Sequence, residues 1–456
     1  MAGFPPGPRS IALVQGAALS RDPLGWIERQ RSRYGNVFSA RFPYFGRVVY
    51  LAHPDAVKEA FSGSPALMHA GEANAGPLGA VLGTYSLLTL DDEPHMEQRK
   101  LLLPPFHGDN VRLYGEVMAE AAAREVETWS VGEELRLREA TQRIALEVIL
   151  RAVFGVREEA RRREFERRIL PLSGVSNMLI WMPFLRRVPF FGRRSERVVE
   201  AVDELIYEEI AERRAAPDAE ERGDVLSLLL SARHADDSPM SDQELRDELM
   251  TLLGAGHETT ATGLAWALER LLRTPAALER LTSNLDDDEY LEAVVKETLR
   301  VRPVVTDCAR KLTADATIAG FDLPAGTLLL PAIALLNRHP DLWPEPEAFR
   351  PERFLEGQPD PYSWIPFGGG VRRCIGAAFA QQEMKIVLRE ILARVRLRAA
   401  DPAPEPPRVR HVTIVPARGA RVVVEEKLQA PRPSRTAPSA SPSIPERPSP
   451  TPSPAR

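Results

Sequence analysis

The chain has 456 residues, 44% of them hydrophobic and 27% charged, and a formal net charge of −5. That is the composition of a globular protein able to bury a large core, and the charge gives no global argument for nucleic acid or an anionic membrane as partner. The two cysteines cannot build a disulfide framework, and their contexts, "VTDCARK" and "RRCIG", resemble no zinc site, so a reducing cytoplasm is the expected compartment.

Residues 1–20 begin Met-Ala-Gly-Phe-Pro-Pro and hold one short apolar run, broken by Gln15 and Gly16. This fits neither a signal peptide nor a membrane span of roughly 20 apolar residues, so a proline-containing surface arm is expected. Strand patterns follow at 37–42 ("VFSARF") and 47–52 ("RVVYLA"). Apolar residues spaced three to four apart predict helices over 108–128, 138–155, 157–171 and 194–214, with polar loops at 214–224 and 233–242. The longest helix is predicted from Ser241 to about Arg273, roughly 50 Å at 1.5 Å per residue, with Ser241 and Glu244 as a capping box. Helices at 288–300 and 376–395 and strands within 316–333 and 408–426 complete the pattern. The fold class is therefore mainly α: one large helical domain over 21–428, with small β-sheets contributed from both ends. From 429 to 456 the chain is rich in Pro, Ser and Arg and is expected to be disordered.

The middle of the longest helix, "LLGAGHETTATGL", is peculiar. Glycine in a helix interior costs about 1 kcal/mol relative to alanine, and threonines bond back to carbonyls one turn earlier. Gly254, Gly256, Thr259, Thr260 and Thr262 therefore mark either a tight helix crossing or a distorted helix beside a ligand. "HETTA" is not a zinc motif, because Ala261 stands where the second histidine is needed. Three charged motifs, "HMEQR" (His95, Arg99), "KETLR" (Glu297, Arg300) and "FRPERF" (Arg353), are individually weak. "FGGGVRRCIG" is specific: Phe367, Gly368, Gly370, Arg372, Cys374 and Gly376 fill six fixed positions, a coincidence on the order of 10⁻⁵ at average composition.

With these motifs in order over about residues 20 to 425, the chain resembles the cytochrome P450 superfamily of haem-thiolate monooxygenases. The resemblance implies that family's fold, with haem b (iron protoporphyrin IX) between the long central helix and the cysteine-loop helix, and Cys374 as the axial ligand of the haem iron. A ligand beneath a porphyrin needs a thin loop, which Gly368, Gly370 and Gly376 supply, and a helix starting just after Cys374 favours a charged sulfur. A thiolate pushes electron density onto iron and favours O–O cleavage. By resemblance, Phe367 and Gly368 belong to the cofactor loop, and His95, Arg99, Arg310 and Arg372 reach the two haem carboxylates. Arg372 stands where many bacterial members carry histidine, which tilts the likeness toward the group of fatty-acid hydroxylases and eukaryotic-type members. Glu297, Arg300 and Arg353 resemble the structural triad. Glu258 and Thr259 resemble the acid–alcohol pair that delivers protons, and Gly256 the opening for dioxygen. His257 is expected to be a satisfied core residue and Cys308 an apolar filler near the substrate.

The implied reaction is hydroxylation or epoxidation of an apolar small molecule (fatty acid, terpenoid or macrocycle) with O2. No flavin or iron–sulfur domain is recognised, so electrons are expected from a separate ferredoxin or flavodoxin with its reductase, drawn by Lys100 and Arg372–Arg373. No nucleic acid and no membrane span are expected, and a monomer is. A peroxide-driven peroxygenase and a non-catalytic haem-thiolate sensor or carrier are the alternatives. The substrate lining is expected from loops around 70–86, from 172–191, from Val304–Thr306 and from Thr413–Val415.

Overall fold

The computed structural model describes residues 3–181, 189–219, 222–410 and 412–429. Its centre is the helix Asp242–Leu272, begun by the expected capping box, in which Ser241 and Glu244 each bond the other's backbone N–H. From Leu245 to Leu253, and again from Thr260 to Glu269, it is buried all round. A helix buried on every face runs through the core, and this one packs against Leu137–Ala152, Pro189–Ala215, Asp288–Val301 and Ala377–Arg394. The helix runs without a break through the glycines and threonines.

The largest sheet draws on both ends of the domain. Its five strands run, edge to edge, Val37–Phe42, Gly46–Leu51, Leu328–Pro331, Arg310–Leu312 and Met68–His69. Near the C-terminus Pro407–Arg410 and Thr413–Pro416 form a hairpin, and Arg421–Lys427 pairs with both Val395–Ala399 and Glu134–Arg136. The pattern over 316–333 resolves into three short strands because turns at Gly320 and Gly326, both at positive φ (80° and 81°), interrupt it.

Several elements depart from the periodicity reading. Within the surface arm, Ala12–Arg21 is a helix. Gly71–Leu82, within the loop region expected at 70–86, is also a helix. The helix predicted over 108–128 breaks at Tyr114, and the one over 157–171 continues to Trp181 through Pro171. Helices Pro23–Tyr34, Pro54–Ser62 and Pro275–Ser283 escape an apolar-spacing count, yet each carries proline in its first turn, which is a legible start signal. Among the described residues no helix is long and apolar enough to cross a membrane. The tail beyond Gln429 and the side chains of 173–191 lie outside the described residues.

Candidate active site

The cysteine loop is bent by its glycines. Gly368 and Gly370 sit at φ +65° and +64°, which side chains rarely adopt. A β-carbon on Gly370 would lie 2.5 Å from the Phe61 carbonyl, and one on Gly369 would lie 2.3 Å from the Phe61 ring, so the loop runs flush against helix Pro54–Ser62. Gly376 plays a different part: at φ −86° it caps the helix Ala377–Arg394 with open space around it. Its N–H donates to the Cys374 sulfur, and the Cys374 N–H donates to the carbonyl of half-buried Phe367 at 2.9 Å. The Cys374 side chain is accessible to solvent, yet surrounding protein pushes its thiol up, against the opposing pull of the Gly376 N–H, Arg99 and Arg373.

Next to this loop four basic side chains from three elements converge. His95 and Arg99 share a face of helix Asp92–Leu102, Arg310 begins a sheet strand, and Arg372 comes from the loop. Burial, then Arg372, Arg99 and Arg310, push the His95 ring down to about 3, so it is neutral. Arg372 is pushed down to about 10, first by burial. It is turned toward Asp91, with which it pairs, and donates to the Leu87 carbonyl at 3.1 Å. Asp91 also accepts from the N–H groups of Gly71 and Glu72 at 2.8 and 2.7 Å, so it ties Arg372 to the start of helix Gly71–Leu82.

The central helix and Ala377–Arg394 cross where a β-carbon on Gly263 would meet Met384 at 3.1 Å. N-terminal to this crossing both lose burial: Gly254 and Ala255 are exposed on one, and Arg373 and Cys374 before the other. Thr259 donates its hydroxyl proton to the Ala255 carbonyl at 2.6 Å. Glu258 lies between two guanidinium groups, Arg138 at 3.6 Å and Arg410 at 3.5 Å. His257 bonds the Leu253 carbonyl at 2.8 Å, as a satisfied residue should. A β-carbon on Gly256 would meet Ile149 Cδ1 of the neighbouring helix at 2.9 Å, so close helix packing gives this glycine a reason of its own. We expect Gly256→Ala to destabilise the fold by about 1–3 kcal/mol through overpacking. Ile149→Val should restore part of that loss, and urea denaturation of the single and double variants checks it.

Glu297, Arg300 and Arg353 come together away from solvent, with Arg300 Nε donating to Glu297 at 2.7 Å and Arg353 Nε at 3.3 Å. Cys308 is pushed up to about 12 by burial. It packs with the apolar cluster of Phe61 and Ile365, and a β-carbon on Gly368 of the cysteine loop would lie 3.9 Å from its sulfur. Asp91, Arg138, Arg410 and Phe61 escape sequence reading, since each acts through a partner more than 100 residues away.

A model of the cytochrome P450 family matches residues 2–422. The chain is 44% identical to cytochrome P450 135B1 of Mycobacterium tuberculosis (strain H37Rv) over 433 residues, 92% of this chain and 91% of that protein. It is 38% identical over 435 residues to cytochrome P450 135A1 of the same organism, covering 93% and 96%. Among solved structures, the retinoic acid-bound cyanobacterial CYP120A1 superposes with a TM-score of 0.81 at 26% identity, over 93% of this chain and 99% of that one. The cytochrome P450DA heme domain has a TM-score of 0.83 at 23% identity, which speaks to the fold alone.

Proposed function

Because the chain belongs to the cytochrome P450 family of haem b monooxygenases, we propose that it oxidises an apolar small molecule (a fatty acid, terpenoid or macrocycle) with electrons from a separate ferredoxin or flavodoxin and its reductase. The observation that carries this reading is the pairing of Cys374, its sulfur met by the Gly376 N–H, with the four-residue basic cluster beside it. A sulfur donor next to crowded cations fits a metal-bearing ligand with two carboxylates. When bound, haem supplies dioxygen activation and oxygen insertion. Cys374 would bind its iron, the loop residues Phe367, Gly368 and Gly370 would help hold it, and His95, Arg99, Arg310 and Arg372 would hold its carboxylates.

We assign Thr259 to proton handling by its likeness to the family's acid–alcohol pair, and its hydroxyl bond supports that reading. Its hydroxyl proton is committed to the Ala255 carbonyl, so its oxygen is left as an acceptor that can hold a water by one of the water's protons. Glu258, next in the chain and held by Arg138 and Arg410, is the carboxylate that relays protons inward. The substrate lining is supported by the Ile414 N–H bond to the Val304 carbonyl at 2.7 Å, which joins two of the expected segments, and by the burial of Val304, Ile414 and Val415. Retinoic acid, the largely apolar ligand of CYP120A1, supports the same substrate class. Exposed Lys100 and Arg373 give the cysteine side a positive surface suited to an acidic electron donor.

The substrate reading is tested by titrating lipids and natural products into haem-loaded protein while following the haem spin state, then assaying hits with a surrogate ferredoxin system. Apolar hits with NADPH-dependent product are expected. Product with peroxide alone would replace the partner-dependent reading, and binding without product in either assay would make the protein a carrier. In Thr259→Ala protein we expect NADPH oxidation to continue while product per NADPH falls severalfold and released hydrogen peroxide rises. Unchanged coupling in a stable Thr259→Ala enzyme would reduce this threonine to helix packing.

A further inference from the structure

The helix Ala12–Arg21 is inverted in polarity. Its buried residue is Gln15, 1% exposed, whereas Leu13 and Val14 are 69% and 53% exposed and Ile11, at its start, is 66% exposed. Gln15 fixes this rotation: its Oε1 accepts from the Arg41 N–H at 2.9 Å, and its Nε2 donates to the Ser10 carbonyl at 2.7 Å. Ala17, one turn on, is exposed as well, so the first two turns of this face offer aliphatic groups to solvent, followed on its last turn by exposed Ser20 and Arg21. The tip of the hairpin between Val37–Phe42 and Gly46–Leu51 lies against the same helix, since a β-carbon on Gly16 would meet Pro43 at 3.3 Å. That tip presents Tyr44, 57% exposed. Single exposed aliphatics are ordinary, but a contiguous set ringed by one sign of charge marks a docking surface.

The ring is basic. The first 50 residues hold seven arginines against two acids, Asp22 and Glu28, in a chain whose net charge is −5. Both acids are already matched, Asp22 by Arg29 at 2.8 Å and Glu28 by Arg31 at 2.5 Å. Arg9 and Arg21 flank the helix, Arg41 and Arg47 face each other across the hairpin, and none of the four has an ion-pair partner among the described residues. Arg9, Arg41 and Arg47 also line one cavity of about 430 Å3.

We propose that this face docks on a membrane that bears anionic lipids, with Ile11, Leu13, Val14 and Tyr44 entering the headgroup region and the arginines meeting phosphate. Aliphatic and aromatic side chains framed by arginine are the composition of an interfacial anchor. Charge disfavours other covers. A second copy would set four arginines against four, and residues 429–456 carry four arginines against one glutamate.

The test uses the haem-loaded full chain, sedimented with vesicles of phosphatidylcholine alone or mixed with phosphatidylglycerol. We expect at least about tenfold stronger binding to the anionic vesicles, weakened by salt. Leu13→Asp with Val14→Asp should abolish it at unchanged melting temperature, since both side chains are exposed, and Arg41→Glu with Arg47→Glu should erase the lipid preference. Failure to bind anionic vesicles, or binding indifferent to these changes, overturns the proposal. So does a dimer in light scattering that Leu13→Asp dissolves, which would give the face to a second copy.

Discussion

Replacing Glu297 by alanine is expected to destabilise the fold by about 3–5 kcal/mol and to lower the yield of haem-loaded protein. Glu297 and Arg300 are both fully buried. Arg300 spends its donors on the carboxylate at 2.7 and 2.8 Å and on the Asn337, Pro346 and Ala348 carbonyls at 2.8, 2.9 and 3.0 Å. Glu297 Oε1 also accepts from the Arg350 N–H at 2.8 Å and from Arg353 at 3.3 Å. One carboxylate thus fastens the helix Asp288–Val301 to the segment 345–353 that leads to the cysteine loop. Alanine leaves two guanidinium groups and a backbone N–H in place with their acceptor gone. A melting temperature lower by roughly 3–6 °C is the expected readout for a domain of this size. Glu297→Gln, which keeps the acceptor and the shape but not the charge, should fall between. Full haem content at an unshifted melting temperature in Glu297→Ala would show that the triad does not secure this region.

The cysteine loop was legible because its constraints are local. Positive φ at Gly368 and Gly370, and an N-terminal helix turn behind Cys374, are written in ten consecutive residues. The triad was legible for a related reason, since Glu297 and Arg300 lie one turn apart and only Arg353 had to be brought in. What the sequence could not show is pairing at a distance. Asp91 is an ordinary helix-start aspartate until the fold sets Arg372 against it, and Arg138 looks like a solvated first-turn arginine until Arg410 and Glu258 arrive beside it. Gly256 shows the same limit from the other side. A glycine in a helix reads equally as space for a ligand or space for a neighbour, and the neighbour, Ile149, is visible only in the fold. The helix within the N-terminal arm was not legible because Gly16 and Gln15 interrupt an apolar run, whereas Gln15 is the residue that anchors the helix to Arg41.

Cys374→Ser should remove the red-shifted Soret band of the reduced carbon monoxide complex and with it monooxygenase turnover. The substitution spares the backbone: the Cys374 N–H to Phe367 bond and the glycine turns do not involve the side chain. What changes is the acid. In the free chain surrounding protein raises the Cys374 thiol, with the Gly376 N–H, Arg99 and Arg373 pulling the other way, so the group is protonated before a metal arrives. Metal ligation takes the thiolate, so haem binding releases one proton. The sign follows: below the thiol's pKa, haem affinity should rise about tenfold per pH unit and then level off above it. Serine's hydroxyl does not ionise in this range, so the variant's affinity should lose that slope. Cys308→Ser is the control. Cys308 packs in the apolar cluster of Phe61 and Ile365 and is held protonated, at about 12, so its loss should leave both the band and the pH slope in place. A Cys374→Ser protein that kept the band, or a Cys308→Ser protein that lost it, would move the ligand assignment from one cysteine to the other.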